Sequence, residues 1–321
     1  WATSGDLNAF FGLSLDNLAG LVLMVSLLGA AFGFPVDFAL GHLVPGTAIG
    51  VVIGDVIFTW MAFRLARRTG RSDVTAMPLG LDTPSTFGMV FFVLGPAFRS
   101  SLEGGLDIQA AAQHAWHIGM CAIVISGFFK IACAIIAGPI RRIVPRAGLL
   151  GSLAAIALAL ISFLPLLEIL GTPLVGLVSL GIVLATLTAR ISFPFRIPGA
   201  LAALLVGLVI QFIGTQTGWI PHAISHSTID PSAAIWPTAW LSAFRFEWIE
   251  AWSDSIKYLP VVIPFALGTV VGGIDCTESA AAAGDEYNTA RIISVEGFAT
   301  IIAGLCGGVI QTTPYIGHPA Y

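Results

Sequence analysis

The run PVVIPFALGTVVGGIDCTESAA, Pro260–Ala281, begins as an apolar helix and then carries Asp275 and Glu278 among small residues. A helix needs about 20 predominantly apolar residues to cross a bilayer, and this run has that length without a Lys or Arg. Asp275 and Glu278 are three apart, so they share one helical face about one turn apart. An ionisable group at membrane depth is costly and is by default a functional hypothesis. Two carboxylates this close in a low-dielectric site cannot both ionise cheaply. Such a pair can bind a proton, and its ionised member can accept two N–H bonds from a ligand. The competing reading ends the span early and leaves both acids in water beside Asp285 and Glu286. Ser279–Ala283, small and uncharged, speaks against that.

The same apolar pattern recurs along the chain. The spans expected are Leu18–Phe34, Gly46–Leu65, Thr83–Phe98, Ile118–Ile136, Leu149–Leu167, Leu174–Leu187, Gly199–Ile213, Pro260–Ala281 and Ser294–Val309, with Gln311–Tyr321 beginning a further element. Of 321 residues, 56% are hydrophobic and 10% charged, whereas a soluble domain carries roughly a quarter charged residues. The mean hydropathy is +0.92. The 36 glycines and 18 prolines suit the small-residue packing and interrupted helices of membrane bundles. A net charge of −4 gives no sign of a nucleic-acid partner.

Basic residues set the orientation. Arg64, Arg67, Arg68 and Arg71 follow the second span, Arg141, Arg142 and Arg146 the fourth, Arg190 and Arg196 the sixth, and Arg291 the eighth. All fall on one side if the amino terminus is cytoplasmic, with only Arg99, Arg245 and Lys257 opposite, as the positive-inside rule expects. The chain is thus expected to be a multi-pass protein of a plasma membrane, the bacterial inner membrane. No signal peptide is expected, because Trp1–Asp6 lacks a basic region and a cleavage site. A start without Met and a stop at Tyr321 suggest a piece of a longer protein.

The long polar connection Thr215–Ser255 is expected outside. Its His222 and His226 near Glu247, Glu250 and Asp254 could bind metal, but a solvated loop with interfacial Trp236, Trp240 and Trp248 is the preferred reading, and no metal site is assigned. Trp240–Trp252 reads as a helix along the membrane surface. Cys121, Cys133, Cys276 and Cys306 lack CxxC spacing and read as buried free thiols.

Two polar, proline-bearing breaks stand out. Val74–Thr86 (VTAMPLGLDTPST) precedes the third span, and Gly307–Pro319 (GGVIQTTPYIGHP) follows the ninth. Each reads as a short extended stretch feeding a helix that starts near a Thr-Pro pair. Non-helical backbone at membrane depth is tolerated only where protein buries it or a cavity adjoins it. Half-helix N-termini there offer free N–H groups, and matching interruptions in two halves point to a transporter site between inverted repeats. Asp55 and Lys130, at mid-span, could pair with each other or with backbone. Glu296 is expected to cap the ninth span's start.

These motifs resemble the nucleobase–cation symporter-2 family, the xanthine/uracil and AzgA-like purine permeases. Asp275-x-x-Glu278-Ser279 is similar to the D-x-x-D-T of the purine group and the E-S of the xanthine group. Val295-Glu296-Gly297 with Ala303-Gly304-Leu305 resembles the family's V-E-G…A-G-L, and Thr312-Thr313-Pro314-Tyr315 its T-T-T-Y/F. Pro78-Leu79-Gly80-Leu81-Asp82 is similar to P-G-M-G-L-N. The resemblance implies an all-α polytopic, seven-plus-seven inverted-repeat fold with short strands and half-helices in segments three and ten, of which the chain covers about segments one to ten. On that plan residues 1–140 are segments one to four of the core domain. Residues 141–214 are segments five to seven of the gate domain, 215–256 the outer loop, and 257–321 segments eight to ten of the core.

The function implied is secondary active, elevator-type uptake of a nucleobase by a proton-coupled symporter. The partners would be a small-molecule substrate, membrane lipid and a second copy of the chain; the proton is the coupling ion, and no cofactor is implied. Glu278 would grip the base's N–H groups, with Asp275 its proton partner. Asp82, Thr83, Phe87 and Thr313 complete the binding set, Phe87 by stacking on a planar ring. Where the family has Gln or Glu two residues after T-T-T-Y/F, this chain has Gly317 with His318 next, and His318 can donate, accept and titrate. That departure fits an outlying branch. The alternative is an anion carrier of the sulfate/bicarbonate type, which two neighbouring carboxylates disfavour. No HExxH or GxSxG motif supports an enzyme.

Overall fold

Apolar helices dominate, as the repeated hydrophobic runs require. The computed structural model describes residues 4–143, 163–189, 191, 193, 197–220 and 238–315. Within them α1 is Ser4–Phe32 and α2 is Val36–Thr69. Strand β1, Leu79–Leu81, leads into α3, Thr83–Met89, which continues through a wide turn into α4, Gly95–Glu103. The long α5 is Ile108–Ile143. Then come α6, Leu164–Gly171, α7, Pro173–Val183, and α8, Gly199–Gln216. The chain ends with α9, Leu259–Ala282, α10, Thr289–Leu305, and strand β2, Thr312–Pro314. Among the described residues the architecture is all-α apart from the β1–β2 ribbon.

Among the described residues five stretches are long and apolar enough to cross a membrane: Ala9–Phe32, Val36–Thr69, Ile108–Ile136, Gly199–Gln216 and Glu247–Ala282. That is the signature of a multi-pass membrane protein. The other expected spans differ for local reasons. The third has a polar Thr-Pro-Ser-Thr entry, the sixth is a shorter apolar helix within Pro173–Thr188, and the ninth stops at Leu305 where Gly307 turns to φ +92°. The fifth, Leu149–Leu167, falls mostly outside the described residues. Two wide π turns, Ala39–Leu43 and Val90–Leu94, each directly precede a dipeptide ending in proline, Val44-Pro45 and Gly95-Pro96. A proline has no N–H to give the preceding turn, and the helix relaxes there instead of breaking.

The chain divides into two compact units. One holds Asn17–Leu150 and Ile229–Pro319; the other holds Gly151–Thr228 with Trp1–Asp16 and Ala320–Tyr321. In the second unit small residues let α7 and α8 approach: Ser179 Oγ donates to Ala203 O at 3.3 Å, and a Cβ on Gly207 would come 2.7 Å from Ser179 Oγ.

In the first unit α5 and α10 cross backbone to backbone. A Cβ on Gly127 would come 2.7 Å from Gly297 O, one on Gly297 2.9 Å from Gly127 O, and one on Gly304 3.1 Å from Met120 O. Lipid tails give no hydrophobic drive between helices, so close contact at small residues does that work. Gly297→Val is therefore expected to destabilise the protein by about 1–3 kcal/mol through overpacking. A lowered melting temperature in detergent would show it, and an unchanged one would refute the crossing. At one end of this unit Asp285 ties two loops together. Its Oδ1 pairs with Arg71 Nη1 at 3.1 Å, and its Oδ2 accepts from Thr75 N at 2.9 Å. Arg71 Nη1 also donates to Gly284 O at 2.6 Å, and Tyr287 Oη to Thr75 O at 2.6 Å.

The connection before α9 departs from the expected surface helix. It forms two 3-10 stretches, Ala239–Arg245 and Glu247–Ala251, hinged at Phe246 with φ 59°. Trp248 is buried in the core, its Nε1 donating to Ala243 O at 3.1 Å. His222, His226 and Trp236 lie outside the described residues. All four cysteines are free; three are buried and Cys306 is half-buried.

Candidate functional site

The two breaks meet. β1 and β2 pair antiparallel with Leu79 opposite Pro314, Gly80 opposite Thr313 and Leu81 opposite Thr312, and every one of these residues is buried. Two flanking bonds extend the ribbon: Tyr315 N donates to Pro78 O at 2.8 Å and Asp82 N to Gln311 O at 3.1 Å. A ribbon of two short strands leaves both outer edges unpaired, which at membrane depth would cost several kcal/mol per group. Helix side chains bond to four of these outer groups. On the β1 edge, Leu79 N donates to Asp55 Oδ1 at 2.9 Å and Leu81 N to Asn17 Oδ1 at 3.0 Å. On the β2 edge, Lys130 Nζ donates to Thr312 O at 2.7 Å and Cys276 Sγ to Pro314 O at 3.1 Å.

Asp55 and Lys130 are thus explained by backbone pairing, one of the two options the sequence left open. Glu296 is different from expectation. Asn288 caps α10, its Oδ1 accepting from Arg291 N at 3.0 Å, which puts Glu296 two turns inside the helix. There it is fully buried, with Oε1 2.9 Å from Lys130 Nζ. Lys130 Nζ also lies 3.3 Å from Thr300 Oγ1, whose hydroxyl is 3.0 Å from Thr312 Oγ1. Gly273 of α9 makes room for the carboxylate: a Cβ there would come 2.7 Å from Glu296 Oε2. The ion pair therefore joins α5 and α10 beneath β2.

Gln311 has a structural role that its sequence context does not name. It is fully buried, its Oε1 accepts from Ser126 Oγ at 2.9 Å, and its backbone O holds Asp82 N. A glutamine before the Thr-Thr-Pro run, polar within an apolar context, was the available signal.

The residues singled out from sequence take the following places. Asp82 is the N-cap of α3: Oδ2 accepts from Ser85 N at 2.7 Å, and its backbone O accepts from Ser85 Oγ and Thr86 Oγ1 at 3.0 and 2.9 Å. Thr83 opens α3 half-buried, and Thr313 sits in the ribbon. Phe87 is half-buried and stacks parallel to Phe91, ring centroids 6.4 Å apart. The Tyr315 ring lies over Gly80, where any Cβ would collide with it. α9 packs against both breaks, Cys276 on Pro314 and Phe265 on Gly88. Asp275 and Glu278 lie inside α9 and are both buried, at 0% and 5% exposure. Neither oxygen of Asp275 has a hydrogen-bond partner among the described residues. Gly317 and His318 lie outside the described residues.

The chain matches no family model, no curated protein and no solved structure. What this arrangement can do follows from its chemistry. It brings a capped half-helix, a ribbon whose edges are held by helix side chains and a helix carrying two buried acids into one packed cluster. Of these, the Asp275 carboxyl is the group still open to a proton or an N–H donor.

Proposed function

We propose that the chain is a secondary active transporter that takes up a nucleobase with protons by elevator-type alternating access. The observation that carries the reading is the antiparallel pairing of two sequence-distant breaks beside the buried acids of α9. Antiparallel pairing is what a pseudo-two-fold axis in the membrane plane produces from inverted repeats, and it supports the seven-plus-seven plan. The unit that gathers 17–150 with 229–319 is read as the core, and Gly151–Thr228 as part of the gate.

In this reading Glu278 accepts the paired N–H groups of a planar lactam, because an ionised carboxylate makes strong, directional bonds to two donors. Asp275, one turn away, carries the proton, which relieves the repulsion between the two acids. Thr83 and Thr313 offer hydroxyls, and Phe87 a ring face. The anion alternative is weakened by a specific feature: the α3 N-terminus already holds a carboxylate, that of Asp82. A substrate anion there would meet like charge.

Thermal stabilisation of the purified protein by xanthine, hypoxanthine, adenine, uracil, sulfate and bicarbonate tests the proposal, since a ligand that binds the folded state raises its melting temperature. At 100-fold excess over Kd a planar base is expected to add about 2.7 kcal/mol. Stabilisation by sulfate or bicarbonate alone would replace this reading with the anion carrier.

A further inference from the structure

A cavity of about 340 Å³ lies away from the strand crossing, between the C-terminal part of α2 and the N-terminal part of α10. Arg64 and Arg68 of α2 and Arg291 of α10 line it, with Trp60, Glu286 and Asn288. Among the described residues no carboxylate lies within ion-pair distance of any of the three guanidinium groups. One partner is an aromatic ring, Trp60, 5.5 Å beneath Arg64. Glu286 is the cavity's own acid, so three positive charges face one negative charge there. The N-terminus of α10 adds its partial positive charge.

The cavity continues into an apolar stripe. Val52, Val56 and Trp60 lie on one i+4 ridge of α2, exposed by 60%, 64% and 59%, and the next two residues of that ridge are Arg64 and Arg68. An apolar ridge ending in paired arginines, with an aromatic ring at the junction, matches an amphiphile whose tail lies in hydrocarbon and whose head is anionic. Basic pockets between membrane helices on the arginine-rich side bind phosphate headgroups, and a guanidinium fork suits phosphate geometry better than an ammonium does.

We infer that the Arg64–Arg68–Arg291 cavity is a binding site for an anionic phospholipid, whose phosphate sits among the arginines and whose chains run along Val52, Val56 and Trp60. This stands apart from the transport reading and does not depend on it.

The test uses the whole chain in phosphatidylcholine bilayers, titrated with brominated phosphatidylglycerol or brominated phosphatidylcholine while tryptophan fluorescence is read. The Trp60 contribution is taken as the difference from Trp60→Phe. Phosphatidylglycerol is expected to quench it at roughly a tenfold lower mole fraction than phosphatidylcholine. That preference should vanish in Arg64→Gln/Arg68→Gln/Arg291→Gln and largely survive in the triple Lys variant. Millimolar inorganic phosphate should not displace the lipid. Equal quenching by the two lipids, a preference that survives the triple Gln change, or displacement by phosphate would each overturn the inference. Displacement would assign the arginines to a soluble phosphate instead.

Discussion

Lys130→Met is expected to lower the stability of the folded protein by about 3–5 kcal/mol, because it leaves a buried carboxylate without its counter-ion. Lys130 and Glu296 are both fully buried, 2.9 Å apart. The same ammonium donates to Thr312 O, so the substitution also orphans a carbonyl on the β2 edge. Removing one buried hydrogen-bond partner costs about 1–3 kcal/mol on its own. Adding Glu296→Gln should recover much of the loss, since the uncompensated charge goes, while Thr312 O stays unsatisfied. Melting curves of the single and double variants in detergent measure this, with a fall on the order of 10 °C expected for Lys130→Met. A single variant that melts like the parent would mean the pair does not hold the ribbon.

Glu278→Gln is expected to abolish uptake while the protein still folds and inserts, provided the transport reading is right. An amide keeps the shape of the side chain but loses the charge and turns one of the two acceptor oxygens into an N–H donor, and charge-assisted bonds contribute about 1.5–3 kcal/mol each. Affinity for the base should therefore fall roughly 10- to 100-fold. Asp275→Asn should behave differently: a neutral amide mimics the protonated acid, so binding persists while its dependence on pH flattens. Proteoliposome uptake of radiolabelled base at several pH values separates the two. Intact transport by Glu278→Gln would move the binding role to Asp275 or His318.

Much of the helical plan was legible because hydrophobic span, proline and glycine act locally. The run Pro260–Ala281 lies within α9, and its acids are buried in the helix as their small neighbours implied. The extended stretches at Leu79–Leu81 and Thr312–Pro314 follow equally from local polarity and proline. Glu296 was misread for a local reason too: Asn288 is the better cap, and counting from it places the acid on the third turn. The regular helix expected over Trp240–Trp252 is instead two 3-10 stretches broken at Phe246, where Trp248 packs into the core with an internal acceptor.

The apolar spans of a multi-pass membrane protein, the breaks in its helices and the burial of Asp275 and Glu278 were readable along the chain, since each depends on residues within a few turns. The partners of the anomalous polar residues emerge from the packing of distant helices. Asp55, Asn17, Lys130 and Cys276 come from four separate helices, yet all bond to one short ribbon, and Lys130 reaches an acid in a fifth. A buried strand edge must be satisfied by whatever packs against it, and no local pattern names a partner 24 to 182 residues away.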